Sequence, residues 1–258
     1  MSVLAERPPR PPVRGEHPDY PIPEGPPLAE GDEHLRWIVT LHGNLEFLYA
    51  DDSRVQVSAD HAIYPVEGQP KEWRAPDVFL AFGVPKEDRA CYLVWQEDDV
   101  FPQVIVEVRS KSNTTAELAD RLAFYERYGA EEYYDFDPKR NKLRVYLRAG
   151  GSLIEQDYGR VFVSPMMGVR FDLTGTVMRV YTPDDKPFLT RQELQQWFEE
   201  TSRRADAARQ QAAAARQQAD AARQQADASR QQAAAAVADN ARLRELLRKA
   251  GIDPDAAD

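Results

Sequence analysis

The sequence has one cysteine and lacks any long hydrophobic run. Cys91 therefore cannot form a disulfide within the chain, and one thiol cannot build a zinc site without several histidine or carboxylate partners. No stretch of about 18 apolar residues is present that could cross a bilayer. The start of the chain also lacks the continuous apolar segment of a secretion signal. From these absences we expect a cytoplasmic protein.

An excess of positive charge is lacking as well. The chain has 33 basic and 43 acidic residues, which gives a formal net charge of -10. Residues 201–258 contribute 10 basic and 8 acidic residues, so the first 200 hold 23 and 35, a net charge of -12. This balance argues against a protein that holds a nucleic acid over a broad basic surface, although it leaves room for a local basic patch.

Proline is unevenly distributed, because nine of the 19 prolines fall within the first 27 residues. That segment shows no hydrophobic periodicity and has little means of building its own core. We interpret residues 1–28 as an extended or disordered arm. The rest is expected to form a folded domain at 29–200, an alanine-rich coiled-coil helix at 201–251 and a flexible tail at 252–258.

Hydrophobic residues at helical spacing predict a first helix from Asp32 to about Leu48, with acidic residues at its start. Strands are predicted for the short runs that follow, "SRVQVSADHAIYP", "PDVFLAFG", "CYLVW" and "QVIVEV". A second helix is predicted for "TTAELADRLAFYERYG", because Thr114 and Glu117 form a capping-box pattern and Gly129 suits the helix end.

A strand, "EYYDFD", follows this helix, and the turn "PKRN" is expected to join it to "KLRVYLR" as a hairpin. The runs "RVFVS", "GVRFDL" and "VMRVYT" continue the β-rich region, after which Thr190 and Glu193 cap another helix. Helices interleaved with strands in this way predict an α/β domain built on a mixed sheet.

The tail from residue 201 repeats every seven residues. Small residues recur at two heptad positions, which predicts a helix with a seam: Ala205, Ala212, Ala219, Ala226 and Ala233 at one, and Ala208, Ala215, Ala222, Ser229 and Ala236 at the other. Farther on, Asn240, Leu243, Leu247 and Ala250 follow the same seam. A polar seam residue commonly specifies register, so we favour a self-associating coiled coil over a single alanine-rich helix.

The strand "FPQVIVEVRSKS" has an acid, Glu107, in an otherwise apolar pattern. Alternation places Val104, Val106 and Val108 on one face and Glu107 on the other, near the end of the strand. A second acid, Asp77, opens another apolar strand directly after a proline. If the strands are neighbours, the two carboxylates can share a hard divalent cation, whereas each acid taken alone could be a solvated turn residue.

The segments "PDVFLAFGVPK", "VIVEVRSKS" and "LAFYERYGAEEYYDFDP", in this order, resemble the Uma2 family of putative restriction endonucleases. That family belongs to the PD-(D/E)xK nuclease superfamily. The resemblance extends from about Glu30 to Phe188. It implies a restriction-endonuclease-like fold, a mixed β-sheet core flanked by helices, and metal-dependent hydrolysis of phosphodiester bonds in DNA.

The resemblance also implies roles for individual residues. Asp77 and Glu107 supply the two motif acids and bind Mg2+ or Mn2+. The position two after Glu107 holds Arg109, where the superfamily motif has lysine; in relatives a lysine on the following helix serves instead, and its matching position is Arg121. Because arginine deprotonates far less readily than lysine, Arg121 would stabilise charge on the phosphate but serve poorly as a base.

Four further candidates have competing interpretations. Glu117, one helical turn before Arg121, either faces the site or simply caps the helix. Lys111 either reaches a phosphate or stays in solvent. Glu30 and His34 match an acid and a histidine of relatives, and we predict a third metal ligand and a substrate contact; the alternative is an ordinary acid and histidine near a helix start.

Two functions remain in competition. The first is a metal-dependent DNA endonuclease that forms a homo-oligomer through its coiled coil. The second is a nuclease-fold protein whose active site is weak or lost and which acts as a binding or assembly module. Arg109, Arg121 and the net negative charge favour the second hypothesis, and the resemblance favours the first.

Overall fold

The computed structural model describes residues 14–20 and 31–249. The chain divides into two units, with the boundary between Leu194 and Gln195. The first unit contains all of the described strands and two helices, so it is the unit that holds the predicted site. The second unit is described separately below.

Both predicted helices of the first unit are present and begin where local signals place them. Helix α1 spans Asp32–Leu48 and buries Ile38, Leu41 and Leu45, which share one face of the helix. Helix α2 spans Thr115–Tyr128. The Thr114 side chain accepts from the backbone N–H of Glu117, and the Glu117 carboxylate accepts from that of Thr114, so the capping box is confirmed. Gly129 ends the helix at φ 104°, a conformation that favours glycine.

The main sheet has six strands in the order β1-β3-β5-β6-β7-β8. Their bounds are Val55–Ser58 (β1), Val78–Phe82 (β3), Val104–Val108 (β5), Glu132–Asp137 (β6), Lys142–Ala149 (β7) and Ser152–Glu155 (β8). Strands β5 and β6 pair in parallel across the α2 crossover, and the other pairs are antiparallel. The predicted mixed sheet is therefore confirmed, as is the hairpin between β6 and β7.

Two smaller sheets complete the described strands. The short strands Ile63–Tyr64 (β2) and Tyr92–Leu93 (β4) pair in parallel, and a 3-10 turn, Val94–Gln96, follows β4. The predicted β-rich region after the main sheet forms a three-stranded antiparallel sheet of Val161–Val163 (β9), Arg170–Asp172 (β10) and Arg179–Tyr181 (β11).

The two faces of β5 belong to different hydrophobic clusters. Val104, Val106 and Val108 pack in the cluster that contains the buried stripe of α1. Ile105 packs in the second cluster, which contains Phe124 of α2. Full burial of a valine or isoleucine side chain stabilises a fold by roughly 1.5–3 kcal/mol, so the two faces are strongly specified. Glu107, on the α2 face, is held in place by this packing.

Residues 14–20 pack against the rest of the first unit. The Arg14 guanidinium donates to the Glu97 carboxylate over 2.9 Å, and Tyr20 is buried against Tyr64. Cys91 lies beneath this segment, with its sulfur 4.0 Å from the Tyr20 carbonyl oxygen. The remaining residues of the predicted arm lie outside the described part of the chain, so its disorder stays a prediction.

Helix α3 spans Arg191–Lys249 and has no buried residue. Thr190 and Glu193 exchange the two hydrogen bonds of a capping box at its start, as predicted. The helix is continuous through residue 200, where the sequence interpretation has a domain boundary, because no proline or glycine interrupts it. The predicted tail lies outside the described residues. In 14–20 and 31–249, no helix is both long and apolar enough to span a membrane.

Candidate active site

The two motif acids meet across the β3–β5 strand pair. The antiparallel register pairs Val78 with Val106 and Phe79 with Ile105. Asp77 directly precedes β3 and Glu107 directly follows Val106 on β5, so continuing this register by one residue sets them opposite each other. Their proximity is supported by the hydrogen bond from the Val108 N–H to Asp77 and by the effect of the Asp77 charge on the pKa of Glu107. Directly opposed residues of antiparallel strands have Cβ atoms about 4.5–5.5 Å apart, a separation that allows both carboxylates to contact one ion. The structure thus brings together the two acids that the sequence singles out.

Asp77 lies immediately before β3 and is held by two contacts. Its Oδ2 atom accepts from the backbone N–H of Val108 over 2.7 Å and lies 3.3 Å from Nε2 of His34. The hydrogen bond to Asp77 is the main cause that raises the pKa of His34. His34 lies in the first turn of α1, so the two helices approach the acid pair from different faces of the sheet.

Glu107 is almost completely buried, with 1% of its surface exposed. The Tyr125 hydroxyl donates to its Oε1 atom over 2.8 Å, and the Arg121 guanidinium donates to Oε2. The pKa of Glu107 is raised to about 8, first because burial disfavours the charged carboxylate and second because Asp77 lies opposite. Arg121 and Tyr125 act in the other direction without cancelling this rise. Glu107 is therefore a buried acid that holds its proton more tightly than a solvated glutamate does.

Arg109 pairs with Asp135 and not with Glu107. Its guanidinium donates to both oxygens of Asp135 on β6, with Nε 2.6 Å from Oδ1. Asp135 is buried and pairs in register with Glu107, so a third carboxylate lies on the same face. The residue at the lysine position of the motif is thus engaged by Asp135, and Arg121 from α2 is the cation that contacts Glu107.

Sequence reasoning missed Asp135. The only signal was its alternation with Tyr133 and Asp137 in "EYYDFD", which places it on one face of the strand with no indication of a partner. Its pairing with Arg109 depends on the parallel register of β5 and β6, which is a contact between distant parts of the chain.

The remaining predicted residues stand at different distances from this cluster. Glu117 forms the α2 capping box, one turn before Arg121, so its capping interpretation is confirmed and a catalytic role stays a prediction. Lys111 is exposed in the turn between β5 and α2 and forms no hydrogen bond or ion pair with any residue that the structure describes. Glu30 lies outside the described residues.

The donor set suits a hard divalent cation in kind. Magnesium is commonly bound through one or two carboxylates, with water and substrate oxygens completing the octahedron. Asp77 and Glu107 supply two such carboxylates on one strand pair. No group of three histidine, cysteine or carboxylate side chains suited to a metal occurs within 14–20 and 31–249. Within the described residues, Asp77 and Glu107 thus form a two-carboxylate set, which suits an ion that also binds water and substrate oxygens.

Comparison with known proteins gives one family. A family model described as "Uma2: Putative restriction endonuclease" matches residues 14–178, more than half of the chain. The match begins earlier than Glu30, where the sequence resemblance was placed, and it includes the residues that pack over Cys91. Asp77, Glu107 and Arg121 lie within it. No curated protein matches the chain.

Among solved structures, the chain is similar to a putative nuclease belonging to DUF820 from Anabaena variabilis ATCC 29413. The two are 11% identical, and the match covers 54% of this chain and 75% of that chain with a TM-score of 0.43.

Proposed function

Because the chain belongs to the Uma2 family of putative restriction endonucleases, we propose that it is a metal-dependent endonuclease that hydrolyses phosphodiester bonds in DNA. The observation that carries the proposal is the proximity of Asp77, at the start of β3, to Glu107 on the neighbouring strand β5, with Arg121 in contact with Glu107. Family membership supports nuclease function in general, and this arrangement supplies the chemistry.

In the proposed site, Asp77 and Glu107 hold Mg2+ or Mn2+ through their carboxylate oxygens. When bound, such an ion polarises a phosphoryl oxygen and lowers the pKa of an attacking water. The Val108 N–H and His34 fix the orientation of Asp77, and Tyr125 fixes that of Glu107. Glu30 is retained as a proposed third ligand on the basis of the resemblance alone.

Arg121 is the proposed cation for the phosphate. Its guanidinium stays charged, because Glu107 raises its pKa further. A planar fork of N–H donors matches phosphate oxygens, so Arg121 stabilises charge and does not act as a base. In this proposal Glu117 positions Arg121 by fixing the first turn of α2, and Lys111, which is exposed in the turn after β5, contacts a substrate phosphate.

The proposal is tested by plasmid nicking with Mg2+ or Mn2+. We expect Asp77→Asn and Glu107→Gln each to lower the nicking rate by more than about 100-fold. Loss of a residue that only orients a metal ligand costs up to about 100-fold, and loss of the ligand itself should cost more. The matched controls are Asp51→Asn and Glu46→Gln, which remove exposed carboxylates outside the cluster. Wild-type protein that is inert on DNA and RNA with both metals would refute the proposal.

A second candidate function is assembly through α3, with a weak or inactive nuclease site. The observation that favours it is the engagement of Arg109 by Asp135, which leaves the motif without a free cation at its usual position. Helix α3 has 59 residues and exposes Leu243 and Leu247 along its predicted seam. The helix would arrange copies of the chain as a coiled-coil homo-oligomer.

Lysine substitutions in the seam separate the two functions. We expect Leu243→Lys with Leu247→Lys to abolish self-association in sedimentation equilibrium, because charges at the seam oppose burial. Ala238→Lys with Ala241→Lys introduces the same residue at exposed positions on the outer face of the helix, at heptad positions f and b, and serves as control. Monomeric variants that still nick DNA would support an enzyme with an assembly helix. A wild-type monomer would contradict the coiled coil.

A further inference from the structure

A groove with a basic lining lies at the end of the main sheet where β6 turns into β7. It encloses about 590 Å³ between the β6–β7 turn, the segment after β8 and the β10–β11 turn. Five basic side chains line it, against the two carboxylates of Glu155 and Asp157: Lys139, Arg140, Lys142, Arg144 and Arg160. This concentration of positive charge stands in a region, residues 1–200, whose net charge is -12.

Part of this charge has no carboxylate partner among residues 14–20 and 31–249. Arg160 donates from Nε to the backbone carbonyl of Leu173 over 2.9 Å, a neutral acceptor that leaves its charge uncompensated. Lys139 and Lys142 are exposed and form no ion pair with any residue in 14–20 or 31–249. Lys142 nevertheless lies close to the groove carboxylate of Glu155, whose pKa is lowered mainly by Arg144 and also by the charge of Lys142. Such lysines are available to an external anion.

The other two basic residues are neutralised locally. Arg140 pairs with Asp137 over 2.8 Å. Arg144 pairs with Glu155 over 2.8 Å and lies 4.0 Å from Asp135. Their charges therefore contribute less to an external anion than those of the two lysines.

The groove lies at the same end of the strands as the acid pair. Strands β5 and β6 run in parallel, so Glu107 and the turn after Asp137 are at the same end of the sheet. The register then pairs Asp135 with Arg144. Alternation places Lys142 and Arg144 on the face of Glu107, because Tyr146 packs in the same cluster as Ile105.

The spacing suits a nucleic-acid backbone. Arg144 is two strands from Glu107, which corresponds to about 10 Å at about 4.8 Å per strand. One DNA strand carries a phosphate about every 3.4 Å along the helix axis, so about three phosphates fall within that distance.

We infer that this groove binds the phosphate backbone of DNA on one side of the bond that is cleaved, with Lys139 and Lys142 as its principal phosphate contacts. The inference rests on the proposed function. Charge complementarity carries it, because a polyanion gains most from the part of an acidic domain where positive charge is concentrated.

The test measures binding of the full-length protein to a labelled DNA duplex at several KCl concentrations, in Ca2+, which occupies oxygen sites without requiring turnover. We expect Lys139→Glu with Lys142→Glu to weaken binding at least about tenfold at low salt and to reduce the slope of log Kd against log salt by about two, since two phosphate contacts are lost. The control is Lys71→Glu with Lys186→Glu, the same charge change at exposed lysines outside the groove.

Affinity and slope that match those of the control variant would overturn the inference, as would wild-type protein that does not bind the duplex. Tighter binding to an RNA duplex of the same sequence would overturn its assignment to DNA. Nicking by the same proteins is scored separately. A groove variant that loses binding while wild type fails to nick DNA would support the groove and refute the endonuclease. If wild type nicks DNA and the groove variant binds DNA as tightly as wild type does, the endonuclease would be supported and the groove refuted.

Discussion

Two buried glutamates in the first unit have opposite surroundings. Glu97 accepts from Nε and NH2 of Arg89 at 2.8 and 2.9 Å, and from Arg14, so its charge is matched by two guanidinium groups. Glu107 has one arginine, one tyrosine hydroxyl and an acid opposite it. The Glu97 cluster satisfies its charge and holds residue 14 against the domain.

The difference between the two glutamates distinguishes a structural ion pair from a candidate functional acid. A buried ion pair with complete hydrogen bonding is a structural device, since all of its charge is used within the fold. A buried acid that faces another acid is costly unless a proton or a cation enters. Strongly perturbed pKa values cluster at functional sites, so the raised pKa of Glu107, together with Asp77 beside it, supports the candidate active site.

The largest expected effect comes from breaking the Glu97 cluster. Glu97→Gln leaves Arg89 buried without its counter-charge, and loss of one partner of a buried pair costs about 3–5 kcal/mol of unfolding free energy. Glu107→Gln should cost much less at pH 8, because it also removes the burial penalty on a carboxylate. Urea denaturation of both variants measures this, and equal losses would contradict the distinction.

An intermediate effect is expected from pH. The pKa of Glu107 is raised to about 8 in the folded protein, so the folded state holds this proton more tightly than the unfolded chain does. Its contribution to stability is present below the unfolded pKa of about 4.5 and is lost as pH rises through about 8. Wild type should therefore lose unfolding free energy relative to Glu107→Gln between these limits, by up to about 1.4 kcal/mol per pKa unit.

Urea titrations of both proteins across that pH range give the difference directly. A constant difference would show that Arg121 alone keeps Glu107 ionised. Addition of Mn2+ at high pH should restore more stability to wild type than to Glu107→Gln, because only wild type regains a partner for the charged pair.

The smallest expected effect compares the two capping boxes. Thr114→Ala and Thr190→Ala each remove a side-chain cap, worth about 1 kcal/mol of helix stability. Only the first loosens the turn that precedes Arg121. We expect both variants to shift thermal unfolding or helix content slightly, but only Thr114→Ala to lower the nicking rate. Equal nicking rates would mean that the α2 cap does not position Arg121.

Local signals in the sequence were sufficient for much of this fold. The start of α1, both capping boxes and the end of α2 at Gly129 depend on residues within one or two turns, so the sequence predicts them. The face of Glu107 followed from alternation within one strand. Its juxtaposition with Asp77 required only that two predicted strands be neighbours.

Interactions between distant segments could not be predicted in this way. The engagement of Arg109 by Asp135 depends on the β5–β6 register, and the contact of Arg14 with Glu97 joins residues 83 positions apart. The boundary expected at residue 200 followed a change in composition and stays a prediction; helix α3 spans it, and the chain divides into two units between Leu194 and Gln195. Composition reports what a segment contains, whereas pairing depends on what folds against it.

The single thiol has one more consequence. Cys91 is 1% exposed, burial raises the pKa of its thiol, and the carbonyl of Tyr20 lies over its sulfur. We expect an alkylating reagent to reach it when the structure around it opens, for example when residues 14–20 leave the domain, and no second thiol in the chain competes for the label. The rate of Cys91 alkylation would therefore report how often the structure around this thiol opens.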